Sequence, residues 1–169
     1  MESGEVAVKE LAEYVFERDR HEFSLGDTLD IKTGLILASL TFLALQSGGL
    51  IADLRSAPQT IIQIVAISAL LIGGALSVLE LWPRSYEREA MPDSYDQWIS
   101  EMGEFHQQHP DPGPEISVEL HQARLIAAKQ RIRVNGGINV KKSTFMFSAF
   151  YCLVTAFAAN IITLLMRLF

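Results

Sequence analysis

The sequence predicts an all-α integral membrane protein, with three transmembrane helices and a small helical collar on the cytoplasmic side. Three observations predict it. Residues 33–52, 60–79 and 143–166 carry no charged side chain, in runs of 20, 20 and 24 residues. At 1.5 Å of helical rise per residue, each run reaches about 30 Å or more, the thickness of a bilayer's hydrocarbon core. Soluble core helices of that length carry charge on their outer face, and these carry none. Lys and Arg are also distributed unevenly, and no stretch of the chain alternates in the manner of a strand.

The element boundaries follow in chain order. Residues 1–31 form a cytoplasmic amphipathic arm, in which Val8, Leu11, Ala12, Val15 and Phe16 recur at helical spacing. The arm holds nine acids against three bases. That balance is the reverse of a signal-peptide n-region and disfavours an anionic lipid surface, so its stripe is expected to pack on other helices. Ser24, Gly26, Asp27 and Asp30 are expected to loosen or re-cap the chain before the first transmembrane helix, 32–53, although the lack of a proline before Pro58 also allows the arm to be nearly continuous with it. Residues 54–59 make a short external loop, turning the first helix into a hairpin with the second, 60–82. The second helix contains the small-xxx-small spacings Ala69 to Gly73 and Gly73 to Ser77, which permit close helix approach. Gln46, Gln63 and Asn160 are strongly polar groups that need partners in hydrocarbon, which points to hydrogen bonds between helices or subunits. Trp82 and Pro83 suit an interface and a helix stop, and Glu80 just before them is expected to be interfacial and solvated.

Residues 83–142 form the cytoplasmic helical region. One short amphipathic helix is expected over 92–106, with Tyr95, Trp98, Ile99, Met102 and Phe105 on one face. The run His109-Pro-Asp-Pro-Gly-Pro114 ends it. A second helix starts at Glu115, with Ile116, Leu120, Ala123, Ala127, Val134 and Ile138 along one stripe and Gly136-Gly137 as a candidate hinge. It leads into the third transmembrane helix, 143–166, and an external tail, 167–169. Lys and Arg number four through Lys32 and eight from Arg84 to Lys142, against Arg55 and Arg167 on the other side, which places the arm and the middle region in the cytoplasm. Three crossings put the two ends of the chain on opposite faces.

Chemistry-bearing motifs are few. There is no glycine-rich phosphate loop, nucleophile elbow or triad, so no enzyme activity is expected. His106 and His109 have the spacing of a metal pair but no third ligand, and the single Cys152 forms no pair, so no metal or cofactor is expected. A net charge of −6 argues against nucleic acid as a partner. The distinctive charged feature is residues 124–142, with six bases (Arg124, Lys129, Arg131, Arg133, Lys141, Lys142) and no acid. Juxtamembrane bases set topology and touch anionic headgroups. Arg124, Lys129, Arg131 and Arg133 are also candidate contacts for a ligand's phosphate, since arginine offers a bidentate fork.

Asp30-Ile-Lys32-Thr-Gly34 opens the first transmembrane helix, and Trp82-Pro83-Arg84 closes the second. Lys129, Asn135 and Lys141-Lys142 precede the third. With the order of arm, hairpin, cytoplasmic helices and final helix, this layout resembles the transmembrane effectors of bacterial Pycsar antiphage systems. It is also similar to two-transmembrane effectors of other nucleotide-signalled defence systems. The resemblance implies an inner-membrane homo-oligomer, activated by a cyclic pyrimidine nucleotide (cyclic UMP or cyclic CMP) from a partner cyclase. Activation would impair membrane integrity and cause abortive infection. The competing expectation is a small structural or accessory membrane subunit that docks a partner protein and takes no nucleotide.

Overall fold

A computed structural model of the chain describes residues 2–51, 56–89, 92–108 and 116–168. Its four helices are α1 (Glu2–Ile51), α2 (Ala57–Leu81), α3 (Pro92–Gln108) and α4 (Ile116–Leu168). Among the described residues there is no strand. Three of the helices, α1, α2 and α4, are long and apolar enough to cross a membrane.

The chain has no proline before Pro58, and the arm runs on into the first apolar run without a break. α1 is helical throughout Ser24 to Asp30. Three of the four residues expected to loosen it are tied into the helix or its neighbours, and Asp27 is exposed. Ser24 turns its hydroxyl back to the His21 carbonyl at 3.1 Å, Gly26 is buried, and Asp30 is held by Lys142. Gly136 and Gly137 likewise lie within unbroken helix.

The chain divides into two compact units, one made of residues 1–24 and 85–137, the other of 25–84 and 138–169. The second is a three-helix bundle. Its buried positions alternate in steps of three and four: Gln59, Gln63, Ala66, Leu70, Gly73, Ser77 and Glu80 on α2, and Leu40, Leu43, Ser47 and Leu50 on α1. On α4 the same rhythm runs through Asn139, Lys142, Met146 and Ala149. This is the heptad period, which keeps one seam of each helix facing its neighbours. Bonds near the helix ends give the directions. Arg167 of α4 donates to the Leu50 carbonyl of α1 (2.6 Å), and Gln59 at the start of α2 donates to the Met166 carbonyl (3.3 Å). α1 and α4 therefore run parallel, with α2 antiparallel to both, and Arg167 satisfies a carbonyl left open by the end of α1.

Close approach at the middle of the bundle depends on small residues. A Cβ added at Gly73 would fall 2.9 Å from Cys152 Cβ and 3.2 Å from the Leu40 methyls. Ala69, Gly73 and Ser77, the small positions of the two spacings on α2, all lie on the seam. Leu40, Leu43, Ala69, Leu70 and Ala156 form its apolar core. The large apolar side chains mostly point the other way. Phe42, Leu45, Ile61, Leu71, Tyr151 and Phe157 are all more than half exposed. Polar and small groups inside, with aliphatic and aromatic groups outside, reverses the pattern of a water-soluble domain.

The first unit combines the start of α1, an extended segment at 85–89, α3 and the first part of α4. Ala12, Val15 and Ala128 are its buried apolar residues among those described. Phe16 meets His121 edge to face at 6.0 Å, and Phe23 meets Tyr86 at 5.9 Å. Asn135 fastens the extended segment by accepting from the Glu87 backbone N–H and donating to its carbonyl, both at 3.0 Å. One side-chain amide thus does the work of a neighbouring strand. On α3, Trp98 and Met102 are half-buried while Ile99 and Phe105 are exposed, so the expected single face is divided. Tyr95 lies outside the residues whose side chains are described, as do His106 and His109 of the candidate metal pair.

Candidate functional site

In the first unit the basic segment of α4 is sorted by helix face. Arg131 is turned inward, and its Nε and Nη2 both donate to Asp19 Oδ2, at 2.9 and 2.7 Å. The side chains are only 7% and 15% exposed, which makes this a buried pair rather than a surface one. Seven residues earlier, Arg124 donates to Glu89 at 2.8 Å and lies 5.4 Å from the Phe16 ring centroid. Lys129 and Arg133, one helical turn apart, are exposed, and neither forms an ion pair among the described residues. The four predicted phosphate contacts are therefore not brought to one point. Two are held by carboxylates, and two face outward.

The acids of the arm explain that division. Asp19 and Glu22 lie on the inward face of α1, where Arg18 donates to Glu22 at 3.0 Å. A Cβ at Gly136 would stand 3.6 Å from Glu22 Oε2, an ordinary contact, while Gly137 opens onto free space. Asp19 and Glu22 of the acidic arm thus meet Arg131 and Gly136 of the basic segment within the first unit. The apolar stripe expected on α4 is displaced accordingly. Ala128, Arg131 and Asn135 are buried, whereas Ala123 is exposed and Leu120, Ala127, Val134 and Ile138 are half-buried; Ile116 lies outside the residues whose side chains are described. The reason is energetic. An arginine with a carboxylate, and an amide with two backbone groups, tolerate burial because their hydrogen bonds are completed.

The second unit carries two polar layers. In one, Asn160 is central: it accepts from Gln63 at 3.3 Å and exchanges hydrogen bonds with Ser47 at 2.9–3.1 Å. Two of the three amides expected to need partners find each other here. The third, Gln46, is exposed in an apolar groove of about 710 Å³ lined by Leu35, Phe42, Leu153 and Phe157.

The other layer is charged. Lys142, its side chain 4% exposed, donates to Asp30, which is 42% exposed. Glu80 and Thr33 complete the layer, both fully buried. Asp30, Thr33 and Lys142 lie close enough to interact with the Glu80 carboxyl, yet neither of its oxygens nor the Thr33 hydroxyl completes a hydrogen bond. Glu80 is therefore not solvated as expected. The spacing from Gln59 through Gln63, Gly73 and Ser77 carries it onto the seam, and this rhythm was a signal available in the sequence. Arg84, four residues on, is turned away, with its guanidinium 5.7 Å from the Phe145 ring and bonded to the Leu79 carbonyl at 3.4 Å.

Among the described residues, no cluster of His, Cys, Asp and Glu is arranged to hold a metal. Comparison with known proteins returns no matching family model, no similar curated protein and no similar solved structure. The residues themselves define the class of protein: an all-helical chain with three helices long and apolar enough to cross a membrane.

Proposed function

We propose that the protein is a multi-pass inner-membrane effector of an antiphage system, activated by a cyclic pyrimidine nucleotide and acting by impairing the membrane. The observation that carries the membrane reading is the inverted bundle, with Gln63, Asn160, Thr33 and Glu80 inside and Phe42, Leu45, Leu71 and Phe157 outside. The Lys and Arg asymmetry supports an orientation with the basic segment in the cytoplasm and Arg167 outside. Accessibility of single cysteines, placed near residue 20 and near residue 57 in a Cys152→Ser background, tests that orientation.

The effector reading is supported by the Pycsar-like layout together with Lys129 and Arg133, the cations of the predicted set that remain available for a phosphate. Three helices from one copy cannot line a pore, so the reading requires a homo-oligomer. Gln46 supports one, since an amide on a lipid-facing surface gains by hydrogen-bonding a second copy. The nucleotide acts only by binding the leaky arrangement more tightly than the closed one.

The test is dye release from liposomes carrying the purified chain, titrated with cyclic UMP and cyclic CMP, alongside growth on co-expression with a pyrimidine cyclase under phage challenge. Release or growth arrest with one nucleotide supports the effector reading. Neither response with either nucleotide overturns it. A specific observation favours the second reading, an accessory membrane subunit docking a partner protein: Arg124 and Arg131 are already engaged by Glu89 and Asp19. Recovery of a stable stoichiometric partner from native membranes, with no nucleotide response, would select it.

A further inference from the structure

The charged layer of the bundle does not balance. Asp30 and Glu80 bring two carboxyl groups, and Lys142 brings one ammonium, which is bonded to Asp30. Glu80 is 0% exposed, and both its oxygens lack a hydrogen bond. Beside it the fully buried Thr33 hydroxyl is also without one. An ionised carboxylate in that position would be unpaired and cut off from water, a state that buried groups escape by becoming neutral. Among the described residues, no other acid or base acts on Glu80. α1 presents Asp30 and Thr33, α4 presents Lys142, and Arg84 on its own side is turned to Leu79 and Phe145.

We propose that Asp30, Thr33, Glu80 and Lys142 form a proton-binding site, in which one exchangeable proton on the Glu80 carboxyl supplies the missing positive charge. A proton fits where a metal ion does not. A hard cation takes six or more oxygen ligands, whereas this layer offers few and sets an ammonium among them. A protonated carboxyl is both donor and acceptor, so small rotations let it bond Thr33 and accept from a neighbour. The step is a simple transfer, in which water-borne hydronium gives its proton to a Glu80 oxygen and leaves as water. Asp30, half-exposed and next to Glu80, is the member through which that proton reaches the seam. When Glu80 is ionised it competes with Asp30 for Lys142, so proton occupancy selects which helix, α1 or α2, the α4 ammonium holds.

This inference is independent of any nucleotide ligand. It is tested on the full chain in lipid nanodiscs by infrared difference spectroscopy with carbon-13-labelled glutamate, titrated from acid to alkaline pH. The expected result is a protonated-acid carbonyl band that titrates with a one-proton slope and is lost in Glu80→Gln. Asp30→Asn provides a second arm: with one carboxylate left for Lys142, the band is expected to vanish at neutral pH. The proposal is overturned if the wild-type band is missing at every pH, or if Glu80→Gln leaves it in place. It is equally overturned if Asp30→Asn leaves the band at neutral pH unchanged, or if the transition follows sodium concentration at fixed pH.

Discussion

The two polar layers of the bundle occupy the same seam and solve the same problem differently. Ser47, Gln63 and Asn160 are neutral, and their hydrogen bonds join all three helices while leaving one acceptor, Gln63 Oε1, open. Asp30, Thr33, Glu80 and Lys142 are mostly ionisable and leave three oxygens open, two of them on a carboxyl. An open amide oxygen costs about 1–3 kcal/mol wherever it is buried, and that cost does not depend on pH. An open carboxylate costs far more, but a proton can remove the cost. The neutral layer is therefore suited to fixing register, and the charged layer to responding.

Substitutions can break or sharpen that contrast. The largest expected effect comes from stranding a buried charge. Arg131→Met leaves Asp19 unpaired and is expected to cost about 3–5 kcal/mol, and Lys142→Met roughly 3 kcal/mol because Asp30 is half-exposed. Thermal unfolding in detergent micelles measures both. Recovery in the double variants Asp19→Leu/Arg131→Met and Asp30→Leu/Lys142→Met would show that lost pairing is the cause.

Gly73 comes next, because it sets the helix spacing on which both layers depend. Gly73→Val would drive a side chain into Cys152 and is expected to cost about 1–3 kcal/mol, with a Cys152→Ala background recovering part of it. If Gly73→Val is as stable as the parent, the close approach at this level is not a constraint. In the neutral layer, Asn160→Leu is expected to lose about 1–2 kcal/mol, with no change in the shape of the stability–pH curve. A pH-dependent loss there would erase the distinction between the layers. Lys129→Ala and Arg133→Ala touch neither layer and are expected to fall within about 0.5 kcal/mol of the parent. Under the effector reading the same pair should abolish nucleotide-triggered dye release, a loss of function without a loss of fold.

Much of the fold is legible without coordinates because hydropathy is additive along a helix. Three uncharged runs, each long enough to cross hydrocarbon, are a property of the residues 33–52, 60–79 and 143–166, whatever packs beside them. The close-packing signal at Ala69, Gly73 and Ser77 is local in the same sense, since small side chains four apart share a face on any helix.

The direction in which a polar side chain points is another matter. Gln46 and Ser47 are adjacent and both polar, yet Gln46 faces outward while Ser47 bonds Asn160, more than a hundred residues away in the sequence. Arg131 and Arg133 are equally basic, but only Arg131 meets a carboxylate brought by another helix. Glu80 looks like a solvated acid beside Trp82 and Pro83 until α1 and α4 close over it. Length, apolarity and charge asymmetry were determined by the sequence alone. The fate of each polar group was decided by tertiary structure, because burial and pairing belong to the helices that surround a residue and not to the residue itself.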